Sequence, residues 1–197
     1  MQREYHTLAA HRLQTGARYH QPGQNLERVR IDSPALAVMT DLRQIPAATI
    51  DPEAPLDAAN RFMIRRGVRL LLVTDDDRQV LGLITSNDAL GEKPLQFALE
   101  RGIKRQEIRV SDIMTPGNQL DVLSYADLAH AEVGHIMATL QHAGRQHALV
   151  TDLDGGGGIE AVRGIFSASQ IARQLGVAIQ TTEVAQTFAE IGAVLGR

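Results

Sequence analysis

The segment Thr85-Ser86-Asn87-Asp88 combines residue types and spacing that can bind a small polar ligand. A hydroxyl side chain that leaves an apolar strand and opens a helix sets its oxygen beside backbone N–H groups with no helical partner. An anion or a sugar oxygen is welcome there. A carboxylate three residues later, in the first helical turn, reaches the same place and can accept from both hydroxyls of a ribose. The same spacing also describes a helix cap, in which the two side chains serve only the helix end. Both readings stay open at this level. No arrangement of residues in the sequence points to catalysis. Gly-x-Ser-x-Gly is absent, Ser167 stands in Phe166-Ser167-Ala168, and Asp75 to Asp77 form a solvated turn. His135 and His142 lie seven apart with no carboxylate cluster around them, so no metal site is expected. The glycines Gly155 to Gly158 lack a following Lys-Ser/Thr and precede a strand-like run, so they read as a hairpin tip and not as a phosphate loop.

The elements that position this segment occur twice. Val38-Met39-Thr40 leads to a short strand and a helix ending at Gly67, and Ile113-Met114-Thr115 leads to a second such pair ending at Gly144. After each glycine comes an apolar strand, Leu72-Val73-Thr74-Asp75 and then Leu149-Val150-Thr151-Asp152. Each copy closes on glycine, two apolar residues and a hydroxyl: Gly82-Leu83-Ile84-Thr85 and Gly164-Ile165-Phe166-Ser167. A unit of ~60 residues buries too little apolar surface to stand alone, so the copies should pack together about a pseudo-twofold cleft.

Each unit reads as strand, helix, strand, strand, helix, giving a mixed α/β (α+β) fold. The first helix carries Leu56, Ala59 and Met63 on its apolar face, and the fourth residue of that stripe, Phe62, lies beside them. The corresponding stripe of the second copy is Val133, Ile136, Met137 and Leu140. The boundaries expected are a tail over 1–32, a first repeat over 33–91, a linker helix over 92–108, a second repeat over 109–175 and a terminal helix over 176–197. The linker helix should bury Leu95, Ala98 and Leu99, and the terminal helix Val184, Phe188, Ile191 and Leu195. Such surplus apolar faces suggest a homodimer.

Composition narrows the partners. The chain has 197 residues, 44% of them apolar, with 23 acidic against 20 basic side chains and no cysteine. A net charge of −3 gives no broad attraction for nucleic acid or anionic lipid, and neither is expected as a partner. The absence of thiols, of a signal-like N-terminal run and of a membrane-length apolar stretch suits the cytoplasm.

As an ensemble, the Met-Thr lead-ins, the glycine-capped helices and the Gly-apolar-apolar-Thr/Ser-x-x-Asp ending resemble the CBS domain, the module named after cystathionine beta-synthase. The match runs from about Ser33 to Leu175, and the two copies resemble a tandem CBS pair that acts as a stand-alone regulatory module. The resemblance implies a non-catalytic sensor that binds AMP, ADP, ATP or S-adenosylmethionine as a regulatory ligand, signals to an effector protein, and associates as a disc-like dimer. Carried over residue by residue, it assigns Thr85 to phosphate or ribose oxygens and Asp88 to the ribose diol. Leu120, Asp121 and Val122 fall near the adenine, and Gln146 and His147 near the phosphate end. In the second cleft Ser167 is kept, but Gln170 stands where the aspartate would be, facing Ala47, Ala48 and Arg69. A neutral amide cannot accept a diol as a carboxylate does, so this site is degenerate. The residue before the aspartate, often basic in that family, is Asn87 in one copy and Ser169 in the other. A different outcome is a dimeric scaffold that has kept the fold and lost the ligand.

Overall fold

A computed structural model describes residues 28–153 and 158–177, together with 189, 191 and 192. The tail before residue 28, the glycines 155–157 and most of the terminal helix expected over 176–197 lie outside the described residues.

Strand β1 (Thr40–Asp41) and strand β2 (Thr49–Ile50) precede helix α1 (Leu56–Arg66), the hairpin β3 (Leu70–Thr74) and β4 (Val80–Thr85), and the short helix α2 (Ser86–Leu90). Helices α3 (Lys93–Arg101) and α4 (Val110–Ile113) lead to β5 (Thr115–Pro116) and β6 (Val122–Ser124). A 3-10 segment over Tyr125–His130 then enters α5 (Val133–His142), followed by β7 (His147–Leu153), β8 (Glu160–Ser167) and α6 (Ala168–Gln174). Helix α1 stops as its sequence predicts: Gly67 adopts φ 65°, a left-handed cap that only glycine enters without strain.

The sheets show an exchange that the repeat pattern does not announce. One sheet has the order β2-β3-β4-β5 and the other β1-β8-β7-β6, so each takes the short Met-Thr strand of the opposite repeat. Thr40 pairs with Ile165, and Leu83 with Thr115. The exchange explains the repeated glycines. A Cβ on Gly82 would meet the Thr115 carbonyl oxygen at 2.4 Å, and one on Gly164 would meet Met39 Sδ at 2.5 Å. Backbone cannot yield as a thioether can. Gly82→Ala should therefore destabilise the protein by about 1–3 kcal/mol, and Gly164→Ala by less because Met39 can change rotamer. Urea unfolding of both variants checks the order, which equal costs would contradict.

Period-two alternation distributes the strand side chains between two cores. Leu71, Val73 and Ile84 face inward to α1, where Leu56, Ala59 and Met63 meet them as the periodicity predicts. Val150 and Phe166 do the same towards Val133, Ile136, Met137 and Leu140. The residues in between, Leu70, Leu72 and Leu149, join the two sheets in a third cluster. Helix α3 departs from expectation. Leu95 and Leu99 are 63% and 74% exposed, whereas Phe97 and Ala98 pack on the first core and Pro94 is buried. Ile191, whose stripe could pack on its own module or on a partner chain, is buried in the second core of its own chain; Val184, Phe188 and Leu195 lie outside the described residues.

Candidate functional site

Two clefts open where the repeats meet. The smaller, about 250 Å³, is lined by Thr85, Asp88, Leu120, Asp121, Gln146 and His147 among others. The larger, about 1610 Å³, contains all five residues expected there: Ala47, Ala48, Arg69, Ser167 and Gln170. Val122 is the residue left out. It sits on the edge strand β6, 39% exposed, and does not line the small cleft.

Thr85 and His147 come from different sheets and meet at the wall of the small cleft, each at the end of its hairpin. In the first hairpin Leu70 pairs with Thr85, and in the second His147 pairs with Ser167. The hydroxyl residues thus occupy equivalent strand ends, each just before a helix. Their strand partners are not equivalent in chemistry, since His147 stands where the first repeat has a buried leucine.

At the end of β4 the helix-cap reading of the Thr-x-x-Asp spacing is realised. Asp88 Oδ2 accepts from the Thr85 N–H at 3.0 Å and from the Thr85 hydroxyl at 2.6 Å, while Thr85 Oγ1 accepts from the Asp88 N–H at 3.2 Å. This is a complete capping box. It fixes the carboxylate at the cleft wall. The other oxygen, Oδ1, takes a 2.6 Å contact from Lys93 Nζ at the start of α3. An ionised carboxylate has about four acceptor positions. Three are used here, so accepting two ribose hydroxyls requires that the Lys93 ammonium move away. Lys93 is 57% exposed, which leaves its side chain room to do so. Lys93 escaped the sequence reading because it starts α3, beyond the Thr85–Asp88 segment whose spacing carried that reading.

Across the small cleft, Asp121 is held by Arg145 at 3.2 Å, with a side chain 92% exposed. His147 is half-buried between the two clefts. Burial, the Arg69 charge and, in opposition, the Asp88 charge leave its imidazole with a pKa pushed down to about 4, so it is neutral at pH 7.

The large cleft differs in chemistry. Gln170 Oε1 accepts from the Thr40 hydroxyl at 3.2 Å, so the amide clasps the exchanged strand β1. The Ser167 and Ser169 hydroxyls are 3.1 Å apart. Arg65, Arg66 and Arg173 line this cleft with Arg69. These three were not expected from the repeat pattern, because α1 presents the first two on what reads as its wet face. Among the described residues, no helix is long and apolar enough to cross a membrane.

Residues 36–94 match the family model of the CBS domain. Solved structures share the fold at low identity. An uncharacterized conserved protein from Pyrococcus horikoshii is 21% identical with a TM-score of 0.54, over 78% of this chain and 100% of that one. A CBS-domain containing protein from Agrobacterium tumefaciens is 16% identical with a TM-score of 0.53, over 80% and 98%. CBSX2 of Arabidopsis thaliana, solved in complex with AMP, is 22% identical with a TM-score of 0.50, over 72% and 94%. No match is found among curated proteins.

Proposed function

We propose, from the premise that this chain is a CBS-domain protein with the fold of a CBS pair, that it is a non-catalytic regulatory module. In this reading the small cleft binds an adenosine mononucleotide. The observation that carries it is the nucleoside-sized cavity of about 250 Å³, whose wall holds a carboxylate prefixed by the Thr85 cap. The ribose hydroxyls donate to Asp88 Oδ1 as Lys93 withdraws, the adenine lies towards Leu120, and the phosphate lies towards Gln146 and His147. That CBSX2 is solved with AMP supports the choice of ligand. ADP, ATP and S-adenosylmethionine remain within the same class; no catalytic cofactor is part of the proposal. The ligand state is passed to an effector protein in the cytoplasm, with a homodimer as the working unit. Large apolar side chains exposed on α1 to α3, including Ile64, Leu90 and Leu95, support that assembly.

Calorimetric titration of the full chain with AMP, with guanosine monophosphate as control, tests this. Saturable heat with AMP at micromolar to millimolar concentration is expected; no heat with any adenosine compound would overturn it. The competing reading, a ligand-free scaffold, is favoured by one observation: Thr85 and Lys93 already occupy the Asp88 carboxylate.

A further inference from the structure

The large cleft concentrates positive charge in a chain that is acidic overall. Arg65, Arg66, Arg69 and Arg173 all line it, and no aspartate or glutamate does among the described residues. Outside the cleft, Arg30, Arg43, Lys93, Arg105, Arg145 and Arg163 each have a carboxylate partner, while Arg28, Arg61, Arg78, Arg101, Lys104 and Arg109 form no ion pair among the described residues, so it is the gathering of four arginines on one acid-free wall that sets the cleft apart. The four cleft arginines have none among the described residues. Arg65 rests over the Phe62 ring at 5.7 Å, and Arg173 reaches only the Ser169 carbonyl. Four guanidinium groups beside apolar walls suit an anion with several charges and an apolar body, because each fork can take a phosphate or sulfonate oxygen pair.

His147 lies on the wall common to both clefts, together with Ser86 and Asn87. Its place in the strand register belongs to a leucine in the other repeat, so packing alone does not account for an imidazole there. We infer that the arginine-lined cleft is a polyanion site whose occupancy is linked to proton uptake at His147, so that a multiply charged anion binds more tightly as pH falls. The inference rests on the reading of this chain as a ligand-binding module and adds a second ligand class and its regulation.

Two charged groups act directly on His147: Arg69, which precedes β3, and Asp88 on α2, itself paired with Lys93. Arg65 and Arg66 at the end of α1 and Arg173 on α6 line the large cleft with it, and Arg145 before β7, paired with Asp121, lines the small one. In the empty cleft burial and Arg69 hold the imidazole neutral, with its pKa near 4. An anion seated on Arg69 cancels that repulsion and supplies a partner for the imidazolium, so the bound-state pKa is higher than the free one. Affinity then rises as pH falls through the bound value, by at most tenfold per pH unit, and levels off near the free value.

Naphthalene trisulfonate is a suitable probe because its sulfonates stay ionised throughout. Its affinity for the full chain should be about tenfold higher at pH 5 than at pH 7.5. His147→Gln should bind with little pH dependence, and Arg69→Gln should bind about tenfold more weakly at either pH. Imidazole nitrogen chemical shifts of the unmutated protein, titrated with and without the probe, give a readout that requires no variant to fold: His147 should titrate higher with the probe bound. The inference is wrong if the probe does not bind while AMP does, which leaves the small-cleft reading intact. It is equally wrong if the pH dependence survives in His147→Gln, or if the imidazole titration is unmoved. Probe binding with this pH dependence but no AMP binding sinks the proposed function instead and leaves the polyanion site standing.

Discussion

Replacing Arg163 by methionine should cost about 3–5 kcal/mol of stability. Arg163 lies on β8, 9% exposed, and makes ion contacts with Asp41 of the exchanged strand β1 and, at 3.2 Å, with Asp152 of β7. Its guanidinium also stacks 5.0 Å from the centre of the Tyr125 ring. Asp41 and Asp152 are each only 18% exposed, so removing the cation leaves two carboxylates poorly hydrated and close together. Arg43, 2.8 Å from Asp152 but 60% exposed, cannot replace it. Because β1 has only two residues, this cluster rather than the backbone ladder fixes the crossing chain on the second sheet. In thermal unfolding the variant should melt roughly 6–20 °C lower, given about 2–4 °C per kcal/mol at this size. A double-mutant cycle with Asp41→Asn should show coupling of about 1–3 kcal/mol. A melting temperature within about 2 °C of the parent would refute the role assigned to the cluster.

Asp88→Ala should weaken AMP binding about ten- to a hundredfold. A hydrogen bond to an ionised carboxylate contributes on the order of 1.5–3 kcal/mol, and each 1.4 kcal/mol is a factor of ten. The same substitution removes the helix cap, at a cost to stability of about 1 kcal/mol. Asp88→Asn separates the two effects. It retains an acceptor for the Thr85 N–H but has no charge and only one acceptor oxygen, so binding should fall while most of the cap is kept. Gln170→Ala, in the cleft without a carboxylate, should change AMP affinity by less than about twofold. Calorimetry on the three variants reads all of this, and AMP binding by Asp88→Ala as tight as the parent's would remove Asp88 from the site.

The hairpins β3–β4 and β7–β8 are legible in sequence because each strand is a continuous apolar run closed by a turn, and the helix stripes because they repeat at helical spacing. The exchange of β1 and β5 is not legible. Each is two residues long, and its hydrogen-bond partners lie more than thirty positions away, so no local pattern specifies them. The repeated methionines and glycines were its trace: Met39 packs over Gly164 and Met114 over Gly82. For α3, Leu95 and Leu99 form a valid stripe by periodicity, but tertiary context chose the neighbouring face with Phe97. Arg163 had a sequence signal that went unused, since a charged residue between Val162 and Phe166 in a buried strand demands a partner. The residues read from sequence for the small cleft, Val122 excepted, are brought around it. Their types could not show that Lys93 would reach the carboxylate, because a flexible side chain on the following helix leaves no spacing rule to find it by.

The structure of the full chain crystallised with AMP tests the central claim most directly. The account predicts nucleotide density in the small cleft, with both ribose hydroxyls within hydrogen-bond distance of Asp88 and the Lys93 ammonium displaced from Oδ1. Density that leaves the Asp88–Lys93 pair intact and places the ribose elsewhere, or a cleft that stays empty at millimolar AMP, would contradict it.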